Sequence, residues 1–181
     1  MNRLAVLLDT EGGVRLLWWL VTALLVAAFL GFLAVGANHP KDPSLEPRRG
    51  IAGYTSIDFS IEHGAVTDAF CALLARTDAQ RSKGMMGQRD LGGYDAMLFA
   101  WPSPVSSKQV YFYNQGVPID LSVAWFDGSG AFVSLADMKA QDPTPVRAAR
   151  DYKFAIEVPK GGLGHLGIAP RAVVKVGSGG C

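Results

Sequence analysis

The longest apolar run of the chain lies near its N-terminus. Leu16 to Val35 contains twenty residues without a charged side chain. A helix of that length spans about 30 Å, the thickness of the hydrocarbon core of a bilayer. The run also exceeds the roughly 7–15 apolar residues typical of a cleaved signal peptide. We therefore predict a retained transmembrane helix, or uncleaved signal anchor, over residues 16–36, preceded by a short N-terminal segment over residues 1–15.

The charges that flank this run leave its orientation open. Two arginines precede it and three basic residues follow it closely, so the charge bias mildly favours a cytoplasmic C-terminal domain. A single early segment nevertheless usually exports the chain behind it. We expect a single-pass protein of the cell membrane with its N-terminus inside and an extracytoplasmic C-terminal domain. Secretion after cleavage near Ala37 is the alternative, because small residues precede that position.

The hydrophobic pattern changes behind the apolar run. Residues 37–53 contain three prolines among mixed charges, which is typical of a stiff, solvated linker. From residue 54 onward, Ile57, Phe59 and Ile61 alternate with polar residues and predict a half-buried strand. Phe70 to Ala75 is apolar on both faces and predicts a fully buried strand.

The remaining chain consists of short apolar segments separated by turn residues. The capping-box spacing of Thr77 and Gln80 predicts a short helix over residues 78–85. Pro118 to Phe126 alternates and places every second apolar side chain on one face. The Asp127–Gly130 turn then predicts a hairpin. Further strands are expected over residues 97–101 (ending before Pro102), 109–113, 131–135, 152–158 and 172–176, with one helical turn over 161–166 and a loop over 139–150.

The composition agrees with a β-rich domain. The 21 glycines and 10 prolines indicate many turns, which favours short strands. The fold class that these elements predict for residues 54–177 is mainly β, a compact antiparallel β-sandwich (jelly-roll-like) or barrel with one or two short helices. Residues 178–181, which are small apart from a terminal cysteine, are expected to form a flexible tail.

Charge and ligand-type residues exclude several classes of function. The 17 basic and 16 acidic residues nearly balance, so no nucleic-acid partner is expected. The three histidines are scattered without ligand spacing, and neither a metal nor a cofactor is expected. Cys71 is predicted to be a buried, unreactive thiol. We do not expect it to bond to Cys181, because the tail would have to fold back onto the domain.

Several short motifs, weak singly, are more specific in their order and spacing. They are Ala75–Thr77, Arg81–Gly87, Met97–Phe99, Asn114, Pro118–Asp120, Trp125–Gly130, Glu157–Pro159 and Leu166–Ile168. With these motifs the chain resembles the domain of unknown function 192 family (DUF192) over Phe70 to Val176, and it is similar to membrane-anchored members. That resemblance implies a jelly-roll-like sandwich, and it implies no reaction, because the family has no established one.

The chain departs from the pattern of that family at two places. Val110 to Tyr113 stands where relatives usually carry a Phe-Trp-Met-Lys run, so a tyrosine replaces the basic residue. The loop over residues 139–150 also lacks the cysteine pair often found in relatives. Because the basic residue is replaced by Tyr113, a contact between a lysine at this position and an acidic group is not expected here.

The segment after residue 110 carries the best candidate site. Tyr111 and Tyr113 share a face at strand spacing, and Asn114 and Asp120 follow them. Aromatic walls with a few polar groups are typical of a small-molecule site. Arg81, on the predicted helix, is a candidate partner for Asp120 or for a ligand carboxylate. The alternative is that Asn114 and Asp120 satisfy backbone groups of a turn and that Arg81 is a solvated surface charge.

Three hypotheses for the function follow. The first is a non-enzymatic accessory module of the cell envelope that binds a small ligand, a glycan or an envelope protein. The second is a hydrolase-type enzyme with Asp120 as general base and Asn114 as oxyanion donor. The third is a structural subunit of a membrane complex in which the exposed tyrosines anchor an interface. In each case the membrane itself, bound through Leu16 to Val35, is also a partner.

Overall fold

The computed structural model describes residues 47–181. The predicted transmembrane helix, its orientation and the first part of the linker lie outside the described residues. Within residues 47–181, no helix is both long enough and apolar enough to cross a membrane. The described end of the linker lies against the domain, where the Arg49 amide donates to the Gly92 carbonyl at 2.6 Å.

Seven strands and two short helices make up the described chain, which confirms a mainly β fold with two short helices. In order they are β1 (Thr55–His63), β2 (Val66–Ala75), α1 (Asp78–Lys83), β3 (Ala96–Val105), β4 (Leu121–Phe126), β5 (Phe132–Met138), β6 (Tyr152–Pro159), α2 (Gly162–His165) and β7 (Val173–Val176).

The strands form one mixed sheet in the order β5-β4-β6-β3-β2-β1-β7. Neighbours are antiparallel except for β2 and β3, which are parallel. The expectation of a purely antiparallel arrangement is therefore wrong at this pair. The physical reason is the crossover that contains α1, which returns the chain to the starting edge of β2 before β3 begins. The finer assignment, a jelly-roll-like sandwich or a barrel, stays a prediction.

The two outer strands of the sheet approach one another. Ala131, just before β5, forms an isolated bridge with Val173 of β7. The Val174 amide donates to the Gly130 carbonyl at 2.8 Å. Gly130 has a φ of 86°, and a Cβ atom there would overlap the Val174 carbonyl oxygen. A glycine is thus required at this turn for both backbone conformation and space.

Apolar side chains cover both faces of the sheet. In β4, all six residues are buried. Ala124 and Phe126 belong to a first core that includes residues of α2 and the segment after it. Leu121, Val123 and Trp125 belong to a second core on the opposite face. The predicted alternation over this segment is therefore confirmed. The names first core and second core are used below for the buried side chains on these two faces of the sheet.

Two strand predictions are wrong in their extent. Residues 109–113 do not form a strand of the sheet, and only Phe112 makes a bridge, with Val146. β3 does not end before Pro102 but continues to Val105, with a shift of register against β6 between Ala100 and Val105. An irregularity of this kind accommodates a proline, which has no amide proton to donate to the neighbouring strand.

The C-terminal tail is attached to the sheet. After β7 it continues along β1, where the Gly179 amide donates to the Asp58 carboxylate at 3.0 Å and the Cys181 amide to Ser56 Oγ at 3.3 Å. Cys181 and Cys71 form a disulfide, with their Cα atoms 5.9 Å apart. The expectation that they stay apart is wrong, because β1 lies between β7 and β2 and guides the tail across to Cys71.

The first prediction concerns this disulfide, which joins residues 110 positions apart. Closing a long loop restricts the unfolded chain, so we expect Cys181→Ser to lower the free energy of unfolding by about 2–4 kcal/mol. Urea denaturation of the full chain, with and without dithiothreitol, measures this. The reductant should lower the stability of the wild type to that of the variant and leave the variant unchanged. Equal stability of the two oxidised proteins would contradict the prediction.

Candidate functional site

A cavity of about 370 Å³ lies on the second-core face of the sheet, bordered by α1 and by the loop between β3 and β4. Much of its wall is aromatic or thioether. These lining side chains are Phe99, Trp101, Tyr111, Phe112, Tyr113, Met85 and Met86. Mostly apolar and aromatic walls with a few polar groups are typical of small-molecule sites.

Helix α1 forms one wall, and its position is fixed at both ends. At its start, Thr77 Oγ1 accepts from the Gln80 amide while Gln80 Oε1 accepts from the Thr77 amide, which confirms the predicted capping box. At its end, the Tyr54 hydroxyl donates to the Gly84 carbonyl at 2.8 Å. The helix therefore holds Arg81 in a defined place beside the cavity.

Arg81 is largely satisfied by its own surroundings. Its guanidinium donates to the Ala100 carbonyl at 2.9 Å and pairs with Asp78 one turn earlier. It also lies over the ring of Trp101, 5.1 Å from the centroid. The predicted pairing of Arg81 with Asp120 is wrong, since Asp78 is its carboxylate partner. The description of Arg81 as a solvated charge is also wrong, because only 13% of its side chain is exposed.

Phe112 anchors the opposite wall. Its ring contacts Phe99 edge-on with centroids 5.1 Å apart and Trp125 with centroids 5.7 Å apart. Because neighbouring side chains of an extended segment point in opposite directions, burial of Phe112 turns Tyr111 and Tyr113 outward. These two are 45% and 36% exposed. Their rings lie 6.1 Å apart, so the shared face that we predicted for them is present although the strand is not.

Asn114 is fully buried and organises this wall. Its side-chain amide nitrogen donates to the carbonyls of Ile119 at 2.8 Å and Lys139 at 2.9 Å. These two acceptors fix the orientation of the amide group. The side-chain oxygen, Oδ1, is buried and has no hydrogen-bond partner among the residues that the structure describes. Asn114 thus has the turn-stabilising role that we considered, and it is also among the residues that line the cavity.

Asp120 is not brought to the cavity. It is exposed, and its carboxylate accepts from the Ala140 amide at 2.8 Å. Its own carbonyl accepts from the Lys160 amide at 3.0 Å. The structure therefore brings together Arg81, Tyr111, Tyr113 and Asn114 around the cavity and leaves Asp120 as a stabiliser of the neighbouring loop.

Glu157 is the site residue that the sequence reasoning missed. It stands on β6 between Met97 of β3 and Val123 of β4, in the middle of the sheet, and it lines the cavity. It is only 4% exposed. Burial raises the pKa of its carboxyl to about 8, and its carboxylate makes no hydrogen bond or ion pair within residues 47–181. The available signal was a lone acidic residue inside the apolar segment Phe154 to Val158.

The cavity provides hydrogen-bond acceptors but no arrangement for a metal. Asn114 and Glu157 offer oxygen atoms, and the aromatic rings offer π faces. In the part of the chain that is described, no group of three or more His, Cys, Asp or Glu side chains is placed to hold a metal ion. The site is thus suited to an organic ligand that presents hydrogen-bond donors.

The fold and the cavity together define a small, mainly β domain with two buried polar side chains on the wall of an aromatic cavity. A family model, DUF192, described as Uncharacterized ACR, COG1430, matches residues 60–176. The chain belongs to this family, which confirms the resemblance inferred from its motifs.

Solved structures share this fold at low sequence identity. A candidate transcription regulator from Sinorhizobium meliloti superposes with a TM-score of 0.62 at 16% identity, covering 70% of this chain and 98% of that one. A protein of unknown function from Novosphingobium aromaticivorans gives a TM-score of 0.63 at 22% identity, covering 76% and 99%. At these identities the likeness concerns the fold alone. A search of curated proteins found no match.

The second prediction concerns the pH dependence of stability. Folded Glu157 holds its proton up to about pH 8, whereas in the unfolded chain the carboxyl ionises near 4.5. Between these values the folded state binds more protons, so the free energy of unfolding falls as the pH rises, by up to about 1.4 kcal/mol per pH unit. Glu157→Gln should remove this slope. We expect the variant to match the wild type near pH 5 and to be more stable near pH 9.

Urea denaturation of the full chain across this pH range measures the difference between the two proteins. Glu62→Gln is the matched control, because Glu62 lies on β1 with 42% of its side chain exposed. Other carboxyl groups titrate equally in all three proteins and cancel. A Glu157→Gln variant that follows the wild type at every pH would show that the Glu157 carboxyl is not raised by burial.

Proposed function

We propose that this protein is a ligand-binding accessory module of the cell envelope, tethered to the membrane by Leu16 to Val35, and that its cavity holds a small organic molecule. The observation that carries the proposal is the cavity itself. It combines aromatic walls with two buried side chains, Asn114 and Glu157, whose oxygen atoms lack partners in the described chain. Buried polar groups are ordinarily hydrogen-bonded, so a ligand that pairs with them would complete the site.

The geometry favours binding over the hydrolase hypothesis. An oxyanion donor must have a free N–H group, but the side-chain nitrogen of Asn114 already donates to two carbonyls. A general base must reach the substrate, but Asp120 does not line the cavity. Neither residue is therefore placed for the role that the hydrolase hypothesis assigns to it.

The disulfide supports the proposed location. Cys71 and Cys181 form a bond that persists in oxidising compartments and is rare in the cytosol. This favours an extracytoplasmic domain over the cytoplasmic orientation that the flanking charges mildly favour. It supports the membrane-tethered form and the secreted form equally, so the choice of the tethered form rests on the length of the apolar run.

The third hypothesis, a structural subunit, depends on the exposed tyrosines. Tyr111 and Tyr113 are accessible enough to anchor an interface. However, both also line the cavity, and the ring of Tyr111 lies 4.8 Å from the guanidinium carbon of Arg147. We therefore assign the two tyrosines to the mouth of the cavity, where they contact the ligand.

The third prediction tests ligand binding. A thermal-shift screen of a fragment library, on the full chain in nanodiscs, should yield compounds that raise the melting temperature. Tyr111→Ala removes one aromatic wall and should weaken the binding of such compounds about 2- to 12-fold, since an aromatic contact contributes about 0.5–1.5 kcal/mol. Leu135→Ala is the matched control, because Leu135 is similarly exposed on β5 and does not line the cavity. No stabilising compound, or equal weakening in both variants, would contradict the proposal.

The fourth prediction tests the location. Protease added to intact cells, with the outer membrane permeabilised where there is one, should digest the domain, and the membrane fraction should retain the N-terminal segment. An extracytoplasmic protein also keeps its disulfide when free thiols are blocked before lysis. Protection of the domain until the cells are lysed, together with reduced cysteines, would place it in the cytoplasm.

A further inference from the structure

One of the residues that line the cavity, Glu157, carries a buried carboxyl group without a cationic partner. Glu157 stands at the centre of a cross-strand row, between Met97 and Val123, and neither neighbour can pair with it. An ionised carboxylate without a partner is costly to bury. The cavity therefore contains a buried acidic group whose ionised form would be stabilised by a partner of opposite charge.

The positive charges around the cavity are engaged elsewhere. Arg81 pairs with Asp78 and with the Ala100 carbonyl. The ammonium group of Lys83 lies over the ring of Tyr54, 5.7 Å from its centroid. No ion pair joins either residue to Glu157 among the described contacts, so the cationic partner of this carboxylate is missing from the chain that the structure shows.

The rest of the wall also favours a cation. Aromatic faces attract positive charge, and the lining includes Phe99, Phe112 and Tyr113. Asn114 contributes a side-chain oxygen whose only role can be to accept a hydrogen bond. Aromatic rings, one carboxylate and one free amide oxygen together match a group that has both positive charge and N–H donors.

The geometry points to a ligand that carries a protonated amine, with the ammonium group between Glu157 and Asn114 Oδ1 and an apolar body against the aromatic wall. This inference rests on the proposed function, because it names the class of ligand for the same cavity. Once Glu157 is ionised, a neutral ligand of the same shape would leave its carboxylate without a counter-charge. An anionic ligand would place a second negative charge beside it.

Binding of such a ligand is coupled to a proton. Burial raises the pKa of the Glu157 carboxyl in the empty cavity to about 8, so near neutral pH this group must release its proton to pair with the ammonium group. Affinity for an amine should therefore increase between about pH 6 and pH 9, while affinity for a neutral analogue should stay constant. The other ionisable groups that border the cavity or Glu157 are Asp78, Arg81 and Lys83 of α1, Tyr111 and Tyr113 of the loop, and Tyr54 ahead of β1.

Three probes of the same shape test the charge preference. They are 2-phenylethylamine, 2-phenylethanol and phenylacetate, titrated into the full chain in phosphatidylcholine nanodiscs. The protein is labelled with 5-fluorotryptophan, and the fluorine resonance of Trp101, assigned with Trp101→Phe, reports on the cavity. We expect the amine to bind about tenfold or more tightly than the alcohol near pH 8.5, a difference of about one favourable ion pair. Phenylacetate should leave the resonance unshifted.

Two variants separate charge recognition from a general loss of structure. Glu157→Gln should reduce the preference for the amine over the alcohol to about twofold or less, because the carboxylate is gone while the shape remains. Glu62→Gln, outside the cavity, should leave the preference unchanged. The ratio of two affinities in one protein is insensitive to partial unfolding, so a merely structural effect of Glu157→Gln would not change it.

The outcomes distinguish this inference from the proposed function. Equal binding of amine and alcohol to the wild type, or tighter binding of phenylacetate, would overturn the amine inference and leave a small-molecule cavity in place. Absence of any shift of the Trp101 resonance with all three probes would also overturn it. In that case the fragment screen described above decides separately whether the cavity binds ligands at all.

Discussion

A sheet that is apolar on both faces must be covered on both faces, and residues 47–181 provide only two helices, of six and four residues, with which to do it. The first core is closed by α2 and the segment that follows it. The second core is closed by irregular loops, among them the segment that follows α1 and the loop between β3 and β4. Irregular backbone has polar groups that need partners when it is packed against a sheet. Most features of the candidate site follow from how this loop cover is held in place.

Two residues hold the loop cover, each by a different interaction. Phe112 inserts its ring among Phe99, Trp125 and Tyr152 and fixes the loop by apolar contact. The side-chain amide of Asn114 donates to two backbone carbonyls that, in a helix or a strand, would accept from backbone amides. The two attachments lie close together, so the loop is firmly held at one place. Between that place and α1, the sheet is left without a close-fitting cover, and the cavity occupies this gap.

Local patterns predicted the elements well, because their causes are local. Alternation located β1 and β4, the capping box located α1, and the Asp127–Gly130 turn located the β4–β5 hairpin. What the patterns missed depends on distant parts of the chain. The parallel pairing of β2 with β3 is set by a crossover, and the disulfide forms because β7 lies beside β1. Neither the parallel pairing nor the disulfide can be predicted from the hydrophobic periodicity of the segments that form it.

The candidate site shows the same division. Tyr111, Tyr113, Asn114 and Arg81 were found because their residue types and positions are typical of a site, and all four line the cavity. Asp120 looked equivalent in sequence, yet one hydrogen bond to the Ala140 amide holds it in the neighbouring loop. Glu157 was overlooked because an apolar segment with one charge reads as an ordinary strand. Only the three-dimensional order of the strands places it at the centre of the sheet.

The position of Glu157 sets an energetic relation between folding and binding. A buried carboxyl without a partner lowers the stability of the empty protein. When the group is ionised, the cost is the desolvation of its charge; when it is neutral, the cost is that of binding a proton that the unfolded chain would release. A ligand that pairs with the carboxylate regains part of that free energy, and it does so only in the folded state. Ligand binding and stability are therefore linked through this one side chain. A sheet that only had to fold would be more stable with an apolar residue at this position, which is why the proposed ligand site centres on Glu157 and not on the more exposed Asp120.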